Sequence, residues 1–163
     1  MAMLIAAVVA AALVILVFLN RDDQPNRYVW FAQTNAKGDN LLVRGDRIDR
    51  IKGDLPALID AFNRSVQSAE LARLPQDGGR PVLPKLRFKD VRKRVLALDV
   101  QNDEYLTERM GSTGAQEYLA AATFTLTEYE KIDAVRFDFR EGDHAAPGTY
   151  TRDDFLKRWK IIR

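Results

Sequence analysis

An unbroken apolar run opens the chain and constrains it more than any other feature. The 18 residues Ala2 to Leu19 carry no charge, and the polar sequence NRDD over residues 20–23 ends the run abruptly. At about 1.5 Å per residue, a helix of this length spans roughly 27 Å, close to the hydrocarbon thickness of about 30 Å. The run predicts a transmembrane segment over residues 1–20, followed by a polar linker over residues 21–27.

The flanks of the run favour a retained signal anchor over a cleaved signal peptide. A secretory signal has a basic start, a shorter apolar stretch and a cleavage site of small residues. Here only the α-amino group is positive ahead of the run, and Val17, Phe18 and Leu19 stand at its end. A cleaved signal and a buried core helix are the alternatives.

Flanking charge does not decide the orientation of the anchor. Arg21 and Arg27 follow the run and nothing basic precedes it, which weakly favours a cytoplasmic domain. Asp22 and Asp23 lie beside them, and long domains are translocated largely regardless of charge. Other features must therefore decide on which side of the membrane the domain lies.

Composition limits what the rest of the chain can do. Of 163 residues, enough remain after the anchor for one ordinary domain, and the net charge of +2 does not by itself imply a polyanionic partner. Because the chain has no cysteine, it has no disulfide, thiolate metal site, cysteine nucleophile or lipid-modified cysteine.

The first half of the domain carries two strand patterns and one helix pattern. Residues 28–34 and 41–51 predict an antiparallel pair of strands joined by a turn at Gly38. Apolar residues then recur at helical spacing after Asp54, which predicts a helix to about Leu71. The proline- and glycine-rich residues 74–84 predict a long surface loop.

The second half repeats strand, strand, helix and strand. Residues 85–91, with Leu86 and Phe88 facing the core, and residues 95–100 predict two strands. An amphipathic helix should begin at Gly114 with Thr113 as its N-cap and end at residues 129–131. Residues 134–140 then alternate as a strand with one buried face.

The predicted fold class is α+β, with helices on a mainly antiparallel sheet in the order β-β-α-β-β-α-β. The domain should span residues 28–140, and residues 141–163 should form a loop and a C-terminal amphipathic helix. Thr151 and Asp154 suggest the cap of that helix, and its apolar side would carry Phe155 and Trp159.

Residues Val95 to Phe139 resemble the GerMN domain, a family named from spore-germination and sporulation proteins. The matching segments are Ala97–Val100, Glu104–Leu106, Gly111–Gly114, Thr125–Glu128 and Val135–Phe137. With a compatible N-terminal half, the resemblance covers roughly residues 27–140. The chain departs from the family in lacking a lipobox cysteine and in its long 74–84 loop.

The resemblance implies an α+β domain outside the bacterial cytoplasmic membrane, with a binding or scaffolding role and no catalytic residues to transfer. It therefore predicts a single-pass membrane protein with an extracytoplasmic domain. The expected partner is an envelope protein or a cell-wall polymer, nucleic acid is not expected, and homo-oligomerisation stays open. Sporulation itself does not follow from the family name.

The densest positive stretch is the candidate site for an anionic partner. It consists of Lys85, Arg87, Lys89, Arg92, Lys93 and Arg94. A basic strand face can bind an anionic wall polymer, anionic lipid or nucleic acid, whereas lysines on a strand also protect a solvated edge. The lipid- or nucleic-acid-binding alternative would require a cytoplasm-facing adaptor.

An envelope hydrolase is the alternative from a different class. His144, the only histidine, could act on Ser65, Ser68 or Ser112, although none lies in a G-x-S-x-G elbow. Acid pairs could serve glycoside chemistry, and they are Asp22-Asp23, Asp103-Glu104 and Asp153-Asp154. All three pairs lie at turns or helix starts, where acids are common for structural reasons.

No cofactor or metal is predicted. The GSTG sequence at residues 111–114 could bind an anion at a helix N-terminus, but a turn followed by a cap explains it better. No Gly-rich phosphate motif occurs, and one histidine without spaced carboxylates does not make a zinc site. The sequence therefore predicts a non-enzymatic binding module.

Overall fold

The computed structural model describes residues 27–47, 55–73 and 81–162. The predicted anchor over residues 1–20, most of the linker, Asp54 and most of the 74–84 loop lie outside these residues. Among the helices of the described part, none has the length and apolar character needed to cross a membrane.

The described chain folds into seven strands, three α-helices and one π-helical turn. The strands are β1 (Tyr28–Thr34), β2 (Asn40–Arg47), β3 (Lys85–Arg92), β4 (Val95–Gln101), β5 (Ala134–Asp138), β6 (Gly148–Thr151) and β7 (Trp159–Ile162). The helices are α1 (Leu55–Arg73), α2 (Gly111–Leu126) and α3 (Arg152–Leu156), and the π-helical turn is Tyr105–Arg109. This confirms the α+β class and the predicted element order as far as β5.

The strands form two sheets where one mainly antiparallel sheet was expected. The first sheet has the order β1-β2-β7, with β1 antiparallel and β7 parallel to β2. The second has the order β3-β4-β5-β6, in which only β4 and β5 run parallel. Those two strands are connected through α2, because a parallel pair needs a long crossover.

The core lies around α2, which packs against β1, β5 and α1. Each residue from Tyr118 to Leu126 is buried, so this half of the helix is covered on all sides. The helical positions of the predicted apolar stripe are buried, but so are the residues between them, and the helix begins at Gly111 with Met110 as its N-cap and ends at Leu126. The predicted cap at Thr113 and the predicted end at residues 129–131 are therefore wrong.

The prediction of a C-terminal amphipathic helix is also wrong. Thr151 and Asp154 do form the expected capping box, but α3 ends at Leu156. Residues 159–162 form β7 beside β2, with Trp159 buried. The segment expected to follow the domain thus supplies β6 and β7 to its two sheets.

The β3–β4 hairpin turns through two residues with unfavourable backbone angles. Lys93 has a φ of 49° and Arg94 a φ of 65°, as a two-residue type I′ turn requires. Asn-Gly is preferred there because most other residues adopt the left-handed region only at a cost in conformational free energy. Arg94 is held by Asp133, whose backbone N–H donates to the Arg94 carbonyl at 2.9 Å.

Replacing Lys93 by asparagine is expected to raise the free energy of unfolding by about 0.5–1 kcal/mol, because asparagine tolerates a positive φ. The matched control is Lys85→Asn at an extended strand position, where asparagine should be neutral or destabilising. Chemical denaturation measures both, and an equal effect of the two changes would contradict a strained turn at Lys93.

Candidate functional site

The basic stretch predicted from the sequence lies along β3 and the turn that follows it. Arg87, Lys89, Arg92 and Arg94 all form ion pairs with carboxylates on β3, on neighbouring strands or before β5. The candidate residues are therefore together on one surface, but most of their charge is already compensated.

A three-strand charge network occupies the middle of this surface. Arg87 Nη2 lies 3.0 Å from Asp99 Oδ2 on β4, and Lys89 Nζ lies 3.2 Å from Asp99 Oδ1. Lys89 Nζ also reaches Asp138 Oδ2 on β5 at 2.9 Å, where Arg136 is a second partner. The network joins β3, β4 and β5 across their solvent-facing side.

The turn end of β3 is paired as well. Arg92 Nε lies 3.0 Å from Asp90 Oδ2, and Arg94 forms a two-point contact with Asp133. Within the described part of the chain, Lys85 and Lys93 are the two candidate cations without an ion pair. Binding of an anionic partner by all six cations stays a prediction. A partner that contacts Lys85 or Lys93 would displace no carboxylate of the described residues.

The carboxyl groups of the network have lowered pKa values. The pKa of Asp99 is lowered first by the hydrogen bond from Arg87 and then by the one from Lys89. The pKa of Asp138 is lowered chiefly by the hydrogen bond from Lys89, whose own pKa is raised by Asp138 and Asp99. Because these groups are exposed, their individual contributions to stability are modest.

The network should make the fold less stable in acid. A lowered folded-state pKa gives stability that is present above the ordinary value of 3.8 and is lost as pH falls through the lower folded value. We expect Asp99→Asn with Asp138→Asn to flatten the acid limb of the melting temperature below pH 4, and added salt to have a similar effect. The matched control is Asp60→Asn on the exposed side of α1, and a limb equally flattened by that change would contradict the network.

The free edge of β3 carries exposed apolar side chains. Phe88 was expected in the core, but it is 41% exposed although it pairs with the buried Leu98 of β4, and Val91, beyond a register shift, is 42% exposed. In the second sheet β3 pairs only with β4, so its other edge has no strand partner among the described residues. We refer to residues 88–91 with this open backbone as the β3 edge.

Asn63 of α1 covers the same side of β3 at Leu86, two residues before Phe88. Its side chain donates to the Leu86 carbonyl and accepts from the Leu86 N–H, both at 2.9 Å. The amide thus replaces a neighbouring strand at Leu86, and both groups are buried. Sequence reasoning missed this residue, although a polar side chain beside the buried Phe62 was a usable signal.

The structure shows only part of the triad geometry that the hydrolase alternative requires. Ser112 Oγ lies 3.3 Å from His144 Nδ1, so the structure brings together one of the three predicted serine–histidine pairs. A triad also needs a carboxylate that orients the imidazole. No carboxylate hydrogen-bonds His144 within the described part of the chain.

The acid pairs that the structure describes have local partners. Asp103 accepts the backbone N–H of Arg140 at 2.8 Å, and Glu104 pairs with Arg109 at 2.7 Å. Asp154 completes the capping box of α3. Asp22-Asp23 lies outside the described residues. In residues 27–47, 55–73 and 81–162, no group of three or more potential ligands could hold a metal ion.

An apolar groove that the sequence did not indicate lies between β1, α1 and α2. Its volume is about 260 Å³. Residues from all three elements line it, including Trp30, Ala32, Val66, Met110, Tyr118 and Ala121. Their separation along the chain explains why no local motif marks the groove.

Comparisons with known proteins add a likeness of fold. No protein-family model matches the chain, and the comparison with curated proteins found no match. Among solved structures, the chain is similar to the tandem GerMN domains of the sporulation protein GerM from Bacillus subtilis, with 19% identity and a TM-score of 0.44. The match covers 80% of this chain but 47% of that one, so the chain spans about half its length. That structure carries the name of the domain family that the sequence motifs resemble, and the likeness concerns the fold alone.

Proposed function

We propose that this chain is a non-catalytic binding or scaffolding module, held by its N-terminal segment at the bacterial cytoplasmic membrane with its domain outside. The apolar run of residues 2–19 supports the anchor. The motif resemblance of residues 95–139 supports the extracytoplasmic position. An envelope protein or a wall polymer is the proposed class of partner.

The β3 edge is the observation that carries the binding role. An unpaired strand edge offers N–H and C=O groups to an incoming strand, and its side chains set specificity. Phe88 and Val91 add exposed apolar surface there, while Lys85 and Lys93, which form no ion pair with a described residue, add positive charge at the start of β3 and in the turn after it. An extended partner segment with apolar and acidic side chains fits this arrangement.

A photo-cross-linker placed at Phe88 of the full chain tests this role in native membranes. We expect one dominant adduct, and we expect Val91→Glu to reduce it because a carboxylate at the edge disfavours an apolar and acidic segment. A cross-linker at Lys37, in the β1–β2 turn away from β3, is the matched control. Equal adducts at both positions, or none at Phe88, would count against the β3 edge.

The adaptor alternative places the domain on the cytoplasmic side, with the six cations of residues 85–94 against anionic lipid or nucleic acid. Reporters fused after Arg163 separate the two orientations. Alkaline phosphatase activity without fluorescence of a cytoplasmic reporter is expected for the proposed orientation, and the reverse result would favour the adaptor.

The Ser112–His144 contact is the specific observation behind a second candidate, an envelope hydrolase. Ser112→Ala and His144→Ala should each leave biological function intact if the chain is a binding module. A loss of function in both variants, with unchanged melting temperatures, would favour hydrolysis.

A further inference from the structure

The groove between β1 and α2 runs along a strand edge as well as a helix. Among the described strands, β1 pairs only with β2, and its other edge faces α2. Two hydrogen bonds to side chains of α2 bridge the two sides. The Trp30 N–H donates to Thr125 Oγ1 at 2.9 Å, and the Thr34 hydroxyl donates to Glu117 Oε1 at 3.0 Å.

Between these two contacts, the backbone N–H and C=O of Ala32 point toward the groove. Backbone groups alternate in direction along an antiparallel strand. The Trp30 N–H points away from β2, while the Asn35 N–H bonds Asp39 in the hairpin, so the groups of Ala32 share the outward side with those of Trp30. No described residue outside the β1–β2 ladder hydrogen-bonds the N–H or C=O of Ala32, although such groups are rarely left unpaired.

The wall opposite Ala32 is apolar. Val66, Met110, Tyr118 and Ala121 contribute to it, and Tyr118 packs edge-on against Phe62 with ring centroids 5.6 Å apart. The Tyr118 hydroxyl is buried and has no hydrogen-bond partner in the described part of the chain. The groove therefore combines an apolar wall with the outward-facing backbone groups of Ala32.

We propose that this groove binds one apolar residue of an extended peptide, whose backbone pairs with Ala32 while its side chain enters the space between Val66 and Ala121. A volume of about 260 Å³ accommodates one branched aliphatic or aromatic side chain with its peptide group. An acidic side chain is disfavoured because it would lose its hydration against the apolar wall.

This assignment rests on the proposed binding function and names a ligand class for it at a surface separate from the β3 edge. The two can fail separately. A variant that fills the groove should leave the Phe88 cross-link unchanged. A variant that abolishes the Phe88 cross-link should leave labelling of the groove unchanged.

A photo-reactive amino-acid probe tests the groove on the full chain in detergent. The probe is a diazirine analogue of N-acetyl-leucine N-methylamide, which carries one apolar side chain and one complete set of peptide groups. We expect a dissociation constant on the order of 1 mM, given the small size of the probe. Labels should map to β1, Val66 or residues 110–121. Unlabelled N-acetyl-leucine N-methylamide should compete, whereas N-acetyl-aspartate N-methylamide should not.

Groove-filling variants make the test decisive. Val66→Trp and Ala121→Leu should each reduce labelling about tenfold or more, and having two sites guards against a variant that fails to fold. Val82→Trp, at an exposed position outside the groove, is the matched control and should label normally. Unchanged labelling in folded filling variants, labels elsewhere, or equal competition by the aspartate compound would overturn the proposal. A cross-linker at Val66 that captures a second copy of the chain would name a different occupant and overturn it as well.

Discussion

Replacing Asn63 by leucine is expected to lower the free energy of unfolding by about 2–4 kcal/mol, because it leaves two buried backbone groups of Leu86 unpaired. In the native fold the Asn63 amide satisfies both groups, each at 2.9 Å, and all of these atoms belong to buried residues. Leucine has the same branching and number of side-chain heavy atoms as asparagine and is larger, so the substitution leaves no cavity. Guanidinium denaturation, followed by the fluorescence of Trp30 and Trp159, measures it.

A second consequence distinguishes this contact from ordinary packing. Without the amide, the open edge of β3 lengthens from residues 88–91 back to Leu86, and longer open edges favour association between copies. We therefore expect Asn63→Leu to aggregate faster than other variants of equal stability. Ser65→Ala is the matched control on α1, because the Ser65 hydroxyl only bonds the Ala61 carbonyl of the same helix at 3.0 Å. A stability loss no larger than that of the control would contradict the role of Asn63.

Local periodicity was enough to predict the elements from β1 to β5. The alternation in residues 134–138 and the helical spacing in residues 111–126 each arise from neighbours in the chain, so a single sequence shows them. The prediction for the C-terminal segment failed because a single sequence shows only such local patterns. Phe155 and Trp159 are four residues apart and both buried, which resembles a helical pattern, but Phe155 lies in α3 and Trp159 begins the parallel strand β7 after a turn. The pairing of β7 with β2 joins residues more than a hundred positions apart, and no local pattern encodes it.

The candidate site shows the same limit. The cations of residues 85–94 are visible in the sequence, but apart from Asp90 the carboxylates that compensate them come from positions 99, 133 and 138. Only the order of strands brings Asp99 and Asp138 beside Lys89. The peptide groove is likewise built from β1, α1 and α2, and Phe88 is exposed because β3 has no further strand on its other side among the described residues. Charge counts along the chain therefore overestimated the free positive charge of this surface.

The motif Thr125-Leu126-Thr127-Glu128, which carried the family resemblance, has a structural explanation. Thr125 Oγ1 accepts the backbone N–H of Trp30, and Glu128 Oε1 accepts the Trp30 indole N–H at 2.9 Å. Arg152 completes the cluster from α3. Its guanidinium donates to Thr127 Oγ1 at 2.7 Å, to the Phe124 carbonyl at 2.9 Å and to Glu128 Oε1 at 2.9 Å. The motif thus joins β1, the end of α2 and α3.

Replacing Arg152 by methionine is expected to lower the free energy of unfolding by about 2–3 kcal/mol, because three hydrogen bonds are lost and the Phe124 carbonyl at the end of α2 keeps only the longer bond from the Thr127 hydroxyl at 3.4 Å. The guanidinium also lies 5.0 Å from the centre of the Phe124 ring, a contact that methionine only partly replaces. Arg152→Lys should recover little of the loss, because an ammonium group cannot reach all three acceptors in the same geometry. Chemical denaturation of the single variants gives these values.

The coupling between Arg152 and Glu128 can be separated from the remaining contacts by a double-mutant cycle with Glu128→Gln. We expect a coupling of about 1 kcal/mol, because the side chain of Glu128 is only 16% exposed and that of Arg152 is 36% exposed. The matched control is the pair of Arg109 and Glu104, whose side chains are 64% and 62% exposed and whose separation is similar at 2.7 Å. Arg109→Met should cost no more than about 0.5 kcal/mol, since exposed ion pairs contribute little. Equal losses at Arg109 and Arg152 would mean that the cluster acts as an ordinary surface pair, and the motif would then lose its structural explanation.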